Sequence, residues 1–104
     1  MVNSLLACNQ AVGGSGGPDA NGGNGLGGGL YAASGGTVTL TNVMVTGNQA
    51  DGGAAGSGGQ DGQGVGGGVY VADGATVYAD ALTEIIDNQA STSDDDVFGV
   101  IIDI

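Results

Sequence analysis

NQADGGAAGSGGQDGQGVGGGVY, residues 48–70, decides the fold, because residues 9–31 read NQAVGGSGGPDANGGNGLGGGLY. The two stretches are equal in length. Each opens on Asn-Gln-Ala and closes on three glycines, an aliphatic residue and a tyrosine. Asn-Gln-Ala returns at Asn88-Gln89-Ala90, so the intervals are 48 − 9 = 39 and 88 − 48 = 40 residues. Asn3 to Ala11 overlays Asn42 to Ala50, and Thr37-Val38 overlays Thr76-Val77, both 39 apart. One residue inserted before Asn88 accounts for the longer interval. Self-similarity at such a period marks a stacked architecture and outranks local propensity.

Each unit carries three short strand-like runs: Leu30 to Ala33 (repeated at Val69 to Ala72), Thr37 to Thr41, and Val43 to Thr46. β-Branched residues dominate them, helical periodicity is absent, and Ser34-Gly35-Gly36 and Asp73-Gly74 are turn signals. Alternation puts Val38 and Leu40 on one face and Thr37, Thr39 and Thr41 on the other. The expected fold is all-β, a parallel β-helix (solenoid) of about 2.5 coils of a ~39-residue repeat with Gly-rich loop insertions. Stacked coils sit roughly 4.8 Å apart. Leu30 then lies over Val69, Val38 over Val77, and Leu6, Val45 and Ile85 form one inward column. Tyr31 stacks on Tyr70. Asn9, Asn48 and Asn88 fall at a turn where each amide bonds the next and fixes register, since a one-residue slip would reverse every inward column.

Residues 12–29 hold ten glycines in eighteen positions, and so do residues 51–68. Both stretches are expected to leave the coil between one strand and the next. Such a stretch is either a flexible surface excursion or an ordered, glycine-lined arch. Glycine permits positive φ at an entropic cost, and lengthening a loop is cheap. The division of the chain is then a partial coil at 1–11, a Gly-rich loop at 12–29, a coil at 30–50, a second Gly-rich loop at 51–68, a coil at 69–90, and an acidic turn with a terminal strand at 91–104.

The chain has 104 residues, no lysine, arginine or histidine, and eleven acidic residues, a formal charge of −11. Without cations it has nothing to neutralise phosphates, which removes the usual electrostatic route to nucleic acid, and anionic membrane surfaces repel it. Internal salt bridges are limited to the chain terminus, so stability must come from apolar stacking and backbone ladders. The acidic excess suits a secreted or surface-exposed bacterial protein and a salty habitat. No run approaches the ~18 apolar residues of a membrane span.

The single cysteine, Cys8, precludes an intramolecular disulfide. Leu5-Leu6-Ala7-Cys8 matches the box before a lipid-modified cysteine, but no basic residue or apolar stretch precedes it. The repeat explains it as strand, with Cys8 over Gly47 and Asp87. Asn3 already lies inside a unit, so the first coil opens without a cap. Solenoids normally need capping units. A fragment, a truncated product or one piece of a longer stack is expected, with unpaired strand edges at its ends.

The residues Gly27 to Tyr31, Gly66 to Tyr70 and the three Asn-Gln-Ala sites resemble the right-handed parallel β-helix repeats of polymorphic outer-membrane proteins and autotransporter passengers, within the pectate-lyase-like superfamily. Asp94-Asp95-Asp96-Val97-Phe98-Gly99 resembles the last coil of such proteins, where an acidic turn leads into a terminal strand. The resemblance implies a right-handed coil and an extracellular, adhesive or immunologically exposed role at the bacterial outer membrane. The membrane-anchoring barrel of those proteins is absent from these residues. The fold hosts adhesins, lyases and stalks alike.

The lyase chemistry of that superfamily needs an arginine or lysine base, and this chain has none. Glu84, Asp80 and Asp87 leave paired-carboxylate hydrolysis as the one formal route. Calcium, which takes six to eight hard oxygens, is the better small ligand. Its candidate residues are Asp19, Asp51 and Asp61 in the glycine stretches, and Asp94, Asp95 and Asp96 in the tail. Ice binding would need the outward threonines of Thr37 to Thr41 repeated, and Thr76-Val77-Tyr78-Ala79-Asp80 breaks the array. The expectation is a non-catalytic structural or adhesive segment of a secreted or cell-surface protein, without a cofactor unless calcium binds. Its expected partners are cell-surface or carbohydrate ligands, flanking coils of a longer chain, or copies of itself end to end. The alternatives are a fragment of a polysaccharide-active enzyme and a calcium-binding module.

Overall fold

The computed structural model describes all 104 residues, and it is all-β. The first unit runs β1 (Leu5–Ala7), β2 (Gln10–Val12), β3 (Gly25–Leu26), β4 (Leu30–Ala32) and β5 (Thr37–Leu40). The second repeats them as β6 (Met44–Thr46), β7 (Gln49–Asp51), β8 (Gly64–Val65), β9 (Val69–Val71) and β10 (Thr76–Ala79). The third keeps four: β11 (Glu84–Ile86), β12 (Gln89–Ala90), β13 (Val97–Phe98) and β14 (Ile101–Asp103). They form four three-stranded sheets and one two-stranded sheet, all parallel and all short. Every pairing joins a strand to its own equivalent in the neighbouring unit. None joins two strands of one unit.

The register follows the sequence period. Leu6 pairs Val45, which pairs Ile85; Val38 pairs Val77, which pairs Ile101; Leu30 pairs Val69, which pairs Val97. Alternation then sorts the faces. Leu40 of the first unit and Val45, Val69 and Val77 of the second are fully buried. Burying an aliphatic side chain of this size is worth about 1.5–3 kcal/mol. Leu6, Leu30, Val38, Ile85 and Ile101 close the same core from above and below and stay half-buried. Only the middle unit has a neighbour on both sides, and it holds most of the buried side chains.

Two expectations need correction. The first two units have five strands each, not three, because Gln10–Val12 and Gly25–Leu26 pair as well as the aliphatic runs. Neither segment has strand-forming composition, and each is extended because its equivalent next door offers a backbone ladder. Residues 91–104 hold two strands rather than one. The interval from Gln10 to Leu30 is 20 residues, but from Gln89 to Val97 it is 8, so the third unit omits 20 − 8 = 12 residues. Once these are removed, Asp94-Asp95-Asp96-Val97-Phe98 lies directly over Gly66-Gly67-Gly68-Val69-Tyr70. Asp94 even shares the left-handed backbone of the glycines below it, with φ of 57° against 68° at Gly66 and 70° at Gly27.

Between β1 and β2, and at the equivalent points above, the asparagines form a ladder. The Asn9 backbone N–H and Nδ2 donate to Asn48 Oδ1 at 2.9 and 3.0 Å. Those of Asn48 donate to Asn88 Oδ1, both at 3.0 Å. Asn48 Nδ2 also donates to the Leu6 carbonyl at 2.9 Å. Asn48 and Asn88 are buried, and no buried side-chain polar atom in the protein lacks a partner. A buried group left unpaired costs about 1–3 kcal/mol.

Two predictions follow from these contacts. Asn48→Ala strands the Asn9 donors and the Leu6 carbonyl, and the thermal midpoint is expected to fall by roughly 10–20 °C. Asn9→Ala at the exposed rung should cost less than half of that in the same melt. Asp80 closes the turn after β10, where it accepts from the Asn42 and Thr83 backbone N–H groups and from Thr83 Oγ1. The Asn42 N–H, followed by the Thr83 hydroxyl, holds its carboxyl below the ordinary carboxylate value. A lowered folded-state pKa gives stability that is present at neutral pH and lost as pH falls through that lowered value. Acid titration of Asp80→Asn should therefore show less stability lost below the ordinary aspartate range than the unsubstituted chain shows.

Candidate functional site

The surfaces that stand apart from the strand core are the two glycine stretches, the aromatic column and a groove beside the asparagine ladder. Residues 13–24 and 52–63 leave the core as two-legged arches, rooted in β2–β3 and β7–β8. Of the two forms open to them, they take the ordered one. The N–H groups of Gly13, Gly16, Asp19, Gly22 and Gly25 donate upward to the carbonyls of Asp51, Ala54, Ser57, Gln60 and Gln63, at 2.7 to 2.9 Å. Donors and acceptors both recur every third residue. That is the repeat of the polyproline II conformation, which has three residues per turn and no hydrogen bonds of its own. A leg in this form offers one donor in three to the arch above and another to the adjacent leg. Gly23 N–H donates across to the Gly14 carbonyl, and Gly62 N–H to that of Gly53. Gly53 and Gly56 N–H donate diagonally to the Gly23 and Ala20 carbonyls of the arch below.

This packing explains the glycines in a way their backbone freedom does not. Gly13, Gly22, Gly53, Gly56 and Gly62 all lie outside the positive-φ region. A Cβ at Gly13 would land on the Gly23 carbonyl, one at Gly56 on that of Gly17, and one at Gly62 on that of Gly23. The legs approach so closely that side chains have no room between them. Asn21 and Asn24 supply the exceptions, accepting from the Gln60 and Gln63 N–H groups through Oδ1 at 2.9 Å.

The aromatic column stands on the outward face of β4, β9 and β13. Tyr31 and Tyr70 stack with centroids 5.1 Å apart and planes 2° from parallel, and Tyr70 and Phe98 at 4.6 Å and 12°. Phe98 completes the column that the tyrosines begin. The sequence reading missed it, although an aliphatic–aromatic pair after a three-residue turn was the available signal. Stacked rings of this kind add about 0.5–1.5 kcal/mol each beyond their burial. The groove, about 220 Å³, is lined by Gly47, Asn48, Gln49, Asp87 and Gln89, without an apolar residue.

The calcium candidates are not brought together. No three acidic, cysteine or histidine side chains are arranged to hold a metal ion. Asp19 sits at the tip of the lower arch against Gly58. Asp51 Oδ1 accepts from Gln49 Nε2, and Asp61 Oδ1 from the Ala55 N–H across its own arch. Asp94 accepts from Ser93 Oγ, and Asp95 from the Ala90 N–H. Asp96 Oδ1 takes the Asn88 backbone N–H and Nδ2 at 3.0 and 3.1 Å, the pair of bonds a further asparagine would have received. The tail aspartates are thus spent on turn closure. Glu84 is exposed on β11, Asp80 is held in its turn, and Asp87 lines the groove.

The arch packing makes a graded prediction. Gly56→Ala, which puts a methyl group onto the Gly17 carbonyl, should separate the arches and speed amide exchange at Gly16, Asp19 and Gly22 by at least tenfold. Gly14→Ala, where nothing lies within 4 Å of the added carbon, should leave those rates unchanged in the same hydrogen-exchange experiment.

Comparison of the chain with known protein families, curated proteins and solved structures gives no match.

Proposed function

We propose that this chain is a stretch of parallel β-helix with a non-catalytic role, a stiff secreted or cell-surface segment that displays its glycine arches to an adhesive partner. The unit-to-unit register of every sheet supports the β-helix reading: each strand pairs only with its own equivalents, as continuous coiling requires. Right-handedness and a bacterial outer-membrane setting rest on the resemblance of the repeats. The lack of lysine, arginine and histidine throughout the chain weighs against the lyase alternative, because β-elimination needs a base and a cation beside the substrate carboxylate.

One observation carries the display reading. The third unit closes its circuit from β12 to β13 without an arch, through Ser91 to Asp96 alone. The arch is therefore an addition of twelve residues to a coil that is complete without it. It projects as an ordered surface rather than a slack loop, and an ordered surface binds with less entropy to lose. Its exposed polar groups are backbone amides, Asn and Gln side chains, small hydroxyls and the carboxylates of Asp19 and Asp61, which suit a hydroxyl-rich ligand such as a cell-surface carbohydrate.

Removing residues 13–24 and 52–63 joins Val12 to Gly25 and Asp51 to Gly64, reproducing the spacing of the third unit. The shortened chain should keep a cooperative melt and a β-type far-UV spectrum. Binding of both proteins to a glycan array and to epithelial cell surfaces tests the role. Binding by the full chain, lost in the shortened one, is expected. Equal binding by both, or no binding by either, contradicts the display reading.

A further inference from the structure

The upper face of the second arch repeats the fittings by which the first arch holds it. In the joint between the two, the lower arch donates the N–H groups of Gly13, Gly16, Asp19, Gly22 and Gly25. It accepts through the carbonyls of Ala20 and Gly23 and the side chains of Asn21 and Asn24. The corresponding N–H groups of the second arch, 52 − 13 = 39 residues further on, are those of Gly52, Ala55, Gly58, Asp61 and Gly64. Side chains cap three of them: Gly52 donates to Ser91 Oγ at 3.0 Å, Gly64 to Thr92 Oγ1 at 3.1 Å, and Ala55 to Asp61 Oδ1 at 2.8 Å. The N–H groups of Gly58 and Asp61 have no partner, and neither do the carbonyls of Gly59 and Gly62. Gly58 keeps the left-handed backbone of Asp19 below it, with φ of 85° against 60°. Gln60 and Gln63 stand over Asn21 and Asn24, exposed, with their side-chain amides unbonded. The opening is made within the chain. The layer directly above the second arch is that of the third unit, and Ser91 to Asp96 cross it only at the root of the arch.

We propose that this face binds an extended peptide segment in the polyproline II conformation with glycine at every third residue. The joint below defines what such a segment must be. The leg lying over Asp19 to Asn24 reads Gly59-Gln60-Asp61-Gly62-Gln63. A Cβ at Gly59 would land on the Ala20 carbonyl, and one at Gly62 on that of Gly23. The residue after each glycine uses both backbone groups: the Gln60 and Gln63 N–H groups go to Asn21 and Asn24, and their carbonyls take the Gly22 and Gly25 N–H groups. The next residue, Asp61, makes no backbone bond downward. Proline fits that third place, because its missing N–H is not needed there. It also fixes φ near the polyproline II value and biases the residue before it the same way. The open N–H groups of Gly58 and Asp61 lie three residues apart, one turn of such a leg, or about 9 Å. A polyproline II segment laid along them presents its carbonyls at that same spacing. The site depends on the arch packing alone, so its test and that of the display reading can fail separately.

The probe is a blocked peptide of four Gly-Gln-Pro repeats, titrated into the full isotope-labelled chain and followed in amide correlation spectra. The Gly58 and Asp61 N–H signals should shift to saturation, with a midpoint of roughly 1 mM, as a few solvent-exposed hydrogen bonds allow. Their hydrogen exchange should slow at least threefold at saturation. The Gly16, Asp19 and Gly22 signals, sealed in the joint below, should stay in place. A peptide of four Ala-Gln-Pro repeats, with a methyl group where each glycine must approach, should leave every signal unmoved. Gln60→Ala combined with Gln63→Ala removes the two side-chain acceptors and should weaken binding at least threefold, with slow exchange at Gly16, Asp19 and Gly22 showing that the joint is intact. Absence of shifts at about 10 mM peptide, an equal response to the alanine peptide, or undiminished binding by the glutamine variant overturns the site. Gly58 and Asp61 shifts that follow protein concentration with no peptide present would mean that a second copy fills the face, and overturn it equally.

Discussion

The amide of Asn48 uses every hydrogen-bonding position it has. Its oxygen takes two donors from Asn9, and its nitrogen gives one hydrogen to the Leu6 carbonyl and one to Asn88. Each asparagine bonds its neighbour through both side chain and backbone, which ties the turn of one unit to the turn of the next at a single register. That constraint sets the others. With Asn48 over Asn9, Val45 must lie over Leu6 and Gln49 over Gln10, and the valine and leucine columns meet inside. A slip of one residue would bury Met44 and Thr46 in place of Val45. The ladder also has a direction, because every bond from one asparagine to the next runs from donor to acceptor toward the third unit. A one-way ladder needs an acceptor at its end, and Asp96 supplies one from a position eight residues beyond Asn88.

The arches obey the same logic by other means. Apart from Asn21 and Asn24, no side chain bridges them, and they have no strand ladder. Their order comes from backbone amides that face, every third residue, a carbonyl of the next arch. The close approach that makes those bonds is available only to glycine, and the glycine content that reads as slackness in an isolated chain becomes the condition for packing. The entropic cost of ordering so many glycines is high. It is offset only because two arches lie together. The third unit has no arch at all, so the upper face of the second one is left open.

Period carried most of what was legible in the sequence. The interval of 39 placed Leu30 on Val69, Val38 on Val77 and Tyr31 on Tyr70. It failed where the period breaks. The twelve residues missing from the third unit hid Val97-Phe98 as the successor of Val69-Tyr70, and the three aspartates disguised a turn that is elsewhere three glycines. Strands β2, β3 and their equivalents were illegible for a different reason. Gln-Ala and Gly-Leu have no strand preference of their own, and only the neighbouring unit makes them extended. Composition shows that the aspartate oxygens are present, not that backbone N–H groups already bond those of Asp61, Asp95 and Asp96.

The account stands or falls on residues one unit apart lying against each other. A nuclear Overhauser spectrum of selectively methyl-labelled protein tests this directly. Stacking predicts cross-peaks from Val45 to both Leu6 and Ile85, and from Val77 to both Val38 and Ile101, pairs separated by 24 to 40 residues. A spectrum in which these methyl groups see only their sequence neighbours, in a sample that still melts cooperatively, would contradict it.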